Sequence, residues 1–151
     1  MDAHGQAGDA VSFASNMGAV LKAIDTAAEH AVDRVAMAVE SKARANVRDK
    51  LNTTGVAAGD LMNSVTHTTV KAGMKSHARV GSKLIYARIH EFGGTIEAKN
   101  GEYLTFQTAD GEWHMVPSVT IPARPYLRPA ALEGQAALGS VFAEEMRKWV
   151  R

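Results

Sequence analysis

Residues 21–39, "LKAIDTAAEHAVDRVAMAV", decide the fold because their apolar side chains recur at helical spacing. Steps of three and four residues place one set of apolar side chains on a single helical face, opposite most of the charges. This set is Leu21, Ile24, Ala28, Val32, Val35 and Val39. The pattern extends in both directions and predicts one amphipathic helix from Asn16 to Leu51. That helix would be about 50 Å long at about 1.5 Å per residue, which is longer than a single domain of this size usually covers. We therefore expect one of two outcomes: the helix breaks, near Gly18 or around residues 41–46, or another subunit buries part of its face.

The segments that flank this helix lack its periodicity. Residues 1–15 are mostly small or polar, and we expect a flexible N-terminal arm there with a short strand at Val11 to Phe13. On the other side, "NTTG" at residues 52–55 is typical of the end of a helix. Residues 16–151 are enough for a single α+β domain and too few for two good cores.

The sequence from Ser64 onward alternates β-branched and polar residues. "SVTHTTVKAG" and "HARVGS" predict a hairpin, and two glycine turns, Asn100-Gly101 and Asp110-Gly111, predict further hairpins. The runs "TIEAK", "EYLTFQTA" and "EWHMVPSVTI" would then form a three-stranded meander. Pro117 cannot donate a ladder hydrogen bond, so the third strand should lie at an edge or be bulged there. We therefore expect an antiparallel sheet of about four to five strands.

The proline-rich stretch "IPARPYLRPA" should hold the chain extended before Pro125 or Pro129 begins the last helix, which we predict from about Pro129 to Val150. Gly134 and Gly139 each weaken such a helix by about 1 kcal/mol, so its stability must come from packing, in part against a partner. The side chains predicted for its inner face are Leu132, Ala136, Phe142, Met146 and Trp149. The order helix, sheet, helix predicts an α+β fold with the C-terminal helix packed on the sheet.

Composition narrows the function. The chain has no cysteine, which excludes disulfides, thiolate nucleophiles and cysteine-based metal sites. Its net charge is +1, from 17 basic and 16 acidic residues, which disfavours a dedicated reader of nucleic acid. No apolar run is long enough to span a membrane and no leader is evident, so we expect a soluble protein made in a cytoplasm.

The stretch "YARIHEFGG", residues 86–94, places a histidine beside a glutamate and raises the question of catalysis. A zinc-hydrolase helix needs a second histidine four residues after the first, and the position four after His90 is Gly94. A serine-hydrolase elbow and a phosphate-binding loop are also absent from the sequence. We therefore predict no catalytic, cofactor-binding or metal-binding residues.

A backbone role explains the same stretch. Tyr86, Ile89 and Phe92 are three residues apart, which predicts a short helical turn with its apolar side on the core. Gly93 and Gly94 would then let the chain reverse into the strands.

Glu91 would be a polar anchor for Arg124 or Arg128 in the proline-rich turn. Basic residues around turns could instead touch nucleic-acid phosphates: Arg79, Lys83, Arg88, Arg124 and Arg128. We favour solvated charges or partner contacts for them, because the near-zero net charge supplies little electrostatic attraction.

Three separated segments, together with the long first helix, resemble the neck and tail-completion proteins of long-tailed bacteriophages, a group also described as minor tail or virion morphogenesis proteins. They are "TG" followed by "LMNSV", "YARIHEFGG", and "IPARPYLRPAAL" entering the last helix. The resemblance covers about Val20 to Val150. One departure is the longer spacing between Gly55 and Leu61.

The resemblance implies a structural virion protein without catalysis, placed at the head-to-tail interface and present in the host cytoplasm during assembly. It would form a ring of identical copies, a hexamer or dodecamer, around the channel through which DNA passes without sequence-specific binding. Its other partners would be connector or stopper proteins and tail-terminator or tail-tube proteins. No membrane and no cofactor is implied.

Such a ring needs an exposed arm, edge or helix face on each copy. The residues expected at a subunit or partner interface are Tyr86, Glu91, Phe92, Pro117, Arg124, Tyr126 and Arg128. The alternatives are a tail-terminator ring, a small phage DNA-binding or processing protein, and a histidine-dependent metallohydrolase.

Overall fold

The computed structural model describes the backbone of residues 5–51, 56–99, 101–108 and 110–149, with side chains from residue 16 onward except at positions 56–58. The helices in these parts are α1 (Gly5–Leu51), α2 (Val56–Ser64), α3 (Ala87–Phe92) and α4 (Leu127–Arg147). The strands are β1 (Thr66–Ala72), β2 (Lys75–Gly81), β3 (Gly94–Glu97), β4 (Leu104–Gln107), β5 (Trp113–Val116) and β6 (Ser118–Ile121). The predicted α+β class is confirmed.

Helix α1 is continuous through the two places where a break was expected. Its 47 residues span about 70 Å at about 1.5 Å per residue. The helix begins at Gly5 instead of Asn16, so the predicted strand at Val11 to Phe13 is wrong. Each residue added to an existing helix gains a hydrogen bond, and no proline in this stretch stops the helix from extending. The helix ends at Leu51 as predicted, while the termination signal at residues 52–55 lies outside the described residues. The division into an arm and a domain at residue 16 stays a prediction.

Small side chains form most of the buried face of α1. The residues buried along it are Ala27, Ala31, Ala36, Val39, Ala43, Val47 and Leu51. Leu21 and Ile24, which were expected on this face, are 46% and 37% exposed. The core is completed by Leu61 of α2 and Val65, both fully buried.

Helix α4 packs antiparallel along α1, so α1 and not the sheet is its main support. The approach is close at Gly134, where a Cβ atom would overlap a methyl group of Val39 and lie 3.2 Å from Cγ1 of Val35. The predicted inner face of α4 is wrong in part, since Leu132 is 59% exposed. Small residues face α1 because only they permit helices to approach this closely.

The strands form separate two-stranded antiparallel ladders within the described residues. β1 pairs with β2 as the predicted hairpin and lies against α1. β4 pairs with β5 around the predicted Asp110-Gly111 turn. β3 pairs with β6 and not with β4, so the predicted three-stranded meander is wrong.

In the described parts of residues 94–121, the two ladders therefore follow one another, with β3 and β6 at the base and β4 and β5 further from it. The predicted interruption at Pro117 is confirmed, because β5 ends before it and β6 begins after it. The carbonyl of Pro117 accepts a hydrogen bond from the N–H of Ala98 at 3.2 Å, which continues the pairing past the break. We call residues 94–121 the arm.

Candidate functional site

The glutamate of "YARIHEFGG" caps a distant helix. Glu91 is only 7% exposed, and its carboxylate accepts hydrogen bonds from the backbone N–H groups of Tyr126 at 2.8 Å, Leu127 at 2.9 Å and Arg128 at 2.8 Å. These N–H groups belong to the start of α4, where Tyr126 makes no side-chain cap bond and the first turn has no acidic residue. A carboxylate in this position binds donors that the helix itself leaves unpaired and faces the positive end of its dipole.

The predicted anchor at Glu91 is thus confirmed, but its target is backbone rather than an arginine side chain. Two side chains of α1 hold the same turn from the other side. Nδ2 of Asn46 donates to the carbonyl of Tyr126 at 2.9 Å, and Nζ of Lys50 donates to the carbonyl of Pro125 at 2.5 Å. Burial, and after it the charge of Glu91, raises the pKa of Tyr126. Helices α1, α3 and α4 therefore meet at one clamp, which we call the Glu91 clamp.

The chain enters and leaves the arm beside this clamp. Gly93 has a φ of +69°, and a Cβ there would lie 2.7 Å from the backbone nitrogen of Ala123. Both the positive φ and the close approach require glycine. The N–H of Arg124 donates to the carbonyl of His90 at 2.8 Å, which joins the two ends of the arm.

His90 itself is a packed ring. It lies edge-on to Tyr86, with ring centroids 6.0 Å apart, and burial followed by the charge of Arg124 lowers its pKa. In the parts of the chain that the structure describes, no three histidine or carboxylate side chains are placed to share a metal ion.

The residues predicted for an interface divide into two groups. Tyr126 and Glu91 are buried and Tyr86 is half-buried, so within a single copy they hold the fold together. Phe92 is 68% exposed, which contradicts its predicted place on the core: Glu91 takes the inward position, and the next residue on the helix points away.

Pro117, Arg124 and Arg128 are also exposed. Contact of any of these residues with a partner stays a prediction.

The structure shows two exposed apolar surfaces, of which the sequence had indicated only the helical one, through the expected burial of part of the first helix by another subunit. One is on the arm, where the large exposed side chains are Ile96, Tyr103, Phe106, Trp113 and Met115. The other is the first part of α1, where Met17, Val20, Leu21 and Ile24 share one face and are 37–50% exposed. The available signal was the presence of large apolar residues in both "EYLTFQ" and "EWHMV", but these residues equally indicate strands, so the pattern alone does not reveal their exposure.

Charged side chains near α1 hold its neighbours in place. Glu40 accepts a hydrogen bond from Nδ1 of His67 at 2.5 Å and forms an ion pair with Arg44 at 2.6 Å. The hydrogen bond from His67 is the main cause that lowers the pKa of Glu40. Glu145 of α4 is 1% exposed and is bound by Lys148 at 2.7 Å and Arg34 at 2.6 Å. The hydrogen bond from Lys148 is the main cause that lowers the pKa of Glu145, and the hydrogen bond from Arg34 is the second. These charges are thus paired with one another within the fold.

An α+β core held by the Glu91 clamp, with apolar side chains exposed on the arm and on the first part of α1, defines a class of protein whose surfaces suit contact with other proteins. No helix in the described ranges is both long and apolar enough to cross a membrane.

Residues 35–140, well over half of the 151-residue chain, match the phage virion morphogenesis family, and the chain belongs to that family. This is a family with a structural and assembly role in the phage particle, which confirms the broader part of the resemblance. No curated protein and no solved structure matches the chain.

Proposed function

We propose that this protein joins the DNA-filled head of a phage to its tail, as a ring of identical subunits around the channel through which the DNA passes. The observation that carries the proposal is the position of the unpaired apolar surfaces. The arm and the first part of α1 are different surfaces of one chain, and each is exposed. Contacts between unlike surfaces of identical subunits generate rings when the rotation closes.

Two further features support a channel-lining ring. The family is one of virion structure and assembly, and the resemblance of "YARIHEFGG" and "IPARPYLRPAAL" is to neck and tail-completion proteins. The near-neutral chain, at +1, would let DNA pass without holding it. We propose that the ring is a hexamer or dodecamer. It would contact connector or stopper proteins on one side and tail-terminator or tail-tube proteins on the other. Its location would be the neck of the virion.

The experiment is deletion of the gene in the source phage, followed by electron microscopy of the lysate. The proposal predicts filled heads and complete tails that accumulate separately and join when purified protein is added back. Normal joined particles in the deletion lysate would refute it. Tails of irregular length would instead favour the tail-terminator alternative, because a terminator stops tail growth.

The DNA-binding alternative has its own measurement. A DNA-binding subunit would bind duplex DNA tightly and lose affinity steeply with salt, because phosphate contacts release counterions. The ring proposal predicts weak binding at physiological salt with no sequence preference.

A further inference from the structure

The β1–β2 hairpin turns one face to α1 and the other to solvent. Alternate side chains of β1 bind acidic side chains of α1 in order along the strand. The pairs are His67 with Glu40, Thr69 with Asp33, and Lys71 with Glu29, with contact distances of 2.5, 2.7 and 2.8 Å. Because the side chains of a strand alternate between two faces, the residues between these three point away from α1, and so do their neighbours across the ladder.

The outward face carries basic side chains and hydroxyl groups. Lys75, His77 and Arg79 occupy alternate positions of β2 and are all exposed, whereas residues 76, 78 and 80 are half-buried. Thr68 of β1 is paired with Arg79 across the ladder and is also exposed. We call Lys75, His77 and Arg79 the basic strip.

The charge of the basic strip is not neutralised within the described part of the chain. Neither Lys75 nor Arg79 forms an ion pair with a described residue. Residues 61–90 contain five lysine and arginine residues and no acidic residue, and the α1 carboxylates that bind the hairpin lie on its other face. The net charge of +1 therefore conceals a local excess of positive charge, because the acidic residues that balance it lie elsewhere in the sequence.

The dimensions and chemistry of the outward face fit the backbone of duplex DNA. At about 3.4 Å per residue the basic strip is about 14 Å long, and one DNA strand carries about four phosphates over that length. Hydroxyl groups such as that of Thr68 donate to phosphate oxygens, as lysine and arginine do. The cores of protein–protein interfaces are instead rich in aromatic residues and poor in lysine, and β1 and β2 contain no Phe, Tyr or Trp. Charge complementarity therefore selects DNA as the occupant.

We propose that the outward face of the β1–β2 hairpin, with the basic strip at its centre, contacts the sugar–phosphate backbone of duplex DNA. In the ring this face would line the channel, and that part of the inference rests on the proposed function. About two or three phosphate contacts from each copy, independent of base sequence, bind DNA weakly and let it slide. The contact is therefore compatible with passage of the duplex through the ring.

The salt dependence of binding tests the contact. Affinity for a fluorescent duplex is measured by anisotropy at several salt concentrations, for the natural protein and for a variant with Lys75→Gln and Arg79→Gln. Each lost phosphate contact should make the slope of log affinity against log salt shallower by about 0.9. A tenfold rise in salt should therefore cost the natural protein about 60-fold more affinity than it costs the variant.

The matched control removes the same charge elsewhere. Lys22 of α1 and Arg147 of α4 are exposed and form no ion pair with a described residue, so replacing both with Gln gives the same net charge as the first variant. The salt slope of this control should equal that of the natural protein. Equal slopes for the two variants, or no binding of the natural protein to the duplex at low salt, would overturn the proposal.

A competitor distinguishes phosphate from the carboxylates of an acidic protein. Unlabelled duplex of unrelated sequence should displace the fluorescent duplex at about tenfold lower total charge than poly-glutamate, because DNA carries its phosphates and condensed counterions at high density. Equal competition by poly-glutamate would show that the basic strip suits an acidic protein as well as DNA, and would overturn the assignment to DNA.

The absence of cysteine permits a direct test of position. An iron–EDTA reagent is attached to Thr68→Cys on the outward face and, as a control, to Ser140→Cys at an exposed position of α4. The hydroxyl radicals that it releases cut only nearby DNA, so at least about fivefold more strand cleavage is expected from position 68 than from position 140. Equal cleavage from the two positions would overturn the assignment of this face.

The outcomes separate this inference from the proposed function. Binding that depends on the basic strip, together with normal joined particles in the gene-deletion lysate, would refute the head-to-tail role and leave the DNA contact standing. Separate heads and tails in the deletion lysate, together with equal salt slopes for the two variants, would support the head-to-tail role and overturn the DNA contact.

Discussion

Replacing Glu91 with Gln should destabilise the protein by about 2–4 kcal/mol. Oε2 of Glu91 accepts from Tyr126 and Leu127, and Oε1 accepts from Arg128. A glutamine side chain keeps one oxygen, so at least one backbone N–H of α4 faces an NH₂ group that cannot accept. The loss of one hydrogen bond to a charged group costs about 1.5–3 kcal/mol, and loss of the negative charge at the helix N-terminus adds about 0.3–1 kcal/mol.

Urea unfolding followed by circular dichroism measures this change. With an m-value of about 2 kcal/mol per molar urea, the midpoint should fall by about 1–2 M while the m-value stays constant. Glu102→Gln is the matched control, because Glu102 is exposed on the arm, and its midpoint should move by less than about 0.3 M. A Glu91→Gln midpoint within that same margin would show that the carboxylate does not cap α4 and would refute the reasoning.

Other predictions concern packing, pH and exposure. Gly134→Ala should lower the stability of the protein by about 1–3 kcal/mol, because the added Cβ meets Val39. Gly139→Ala should raise it by about 0.5–1 kcal/mol, because a Cβ there has no neighbour within 4 Å. Equal effects of the two substitutions in urea unfolding would contradict the close contact at Gly134. The pKa of Glu40 is lowered from its ordinary value of 4.5, so the stability that this carboxylate contributes is present above that value and is lost as pH falls through the lower folded-state pKa. The stability difference between the natural protein and Glu40→Gln should therefore shrink from pH 6 to pH 3, and a constant difference would count against the bond from His67. Phe92→Ser should change the unfolding free energy by less than about 0.5 kcal/mol, because Phe92 is exposed. A loss of about 2 kcal/mol would show instead that Phe92 is packed in the core.

Local patterns predicted the local structure well. The β1–β2 hairpin, the turn at Asp110-Gly111 and the interruption at Pro117 all follow from residue spacing and turn chemistry. Each depends on residues that are neighbours in sequence. Such preferences act before any long-range contact is made.

The pairing of β3 was not predictable in the same way. Both β4 and β6 are strand-like runs, and either could pair with β3. The choice of β6 follows from a contact between positions far apart in sequence, where the chain beside Gly93 meets Ala123 at the base of the arm. Turn signals carry no information about that approach.

The buried face of α4 was missed for a related reason. Sequence periodicity gives weight to large apolar residues and so indicated a face with Leu132 and Trp149. The real contact uses Ala130 and Gly134, because a close helix pair selects for small side chains. For Glu91, the sequence predicted an anchor but not its target, since backbone donors leave no trace in the residue pattern.

The hydrogen bond between His90 and Arg124 has a consequence for how such a protein can change over generations. It makes the arm an insertion whose two ends meet at one point of the core, so the core elements before and after the arm are joined independently of its length. Doubling the length of a loop between fixed ends costs only about 0.6 kcal/mol. The arm can therefore change in length or sequence while α1, α4 and the Glu91 clamp stay the same. One scaffold could in this way be refitted to the different neighbours of many particles, with the sequence variation confined to residues 94–121.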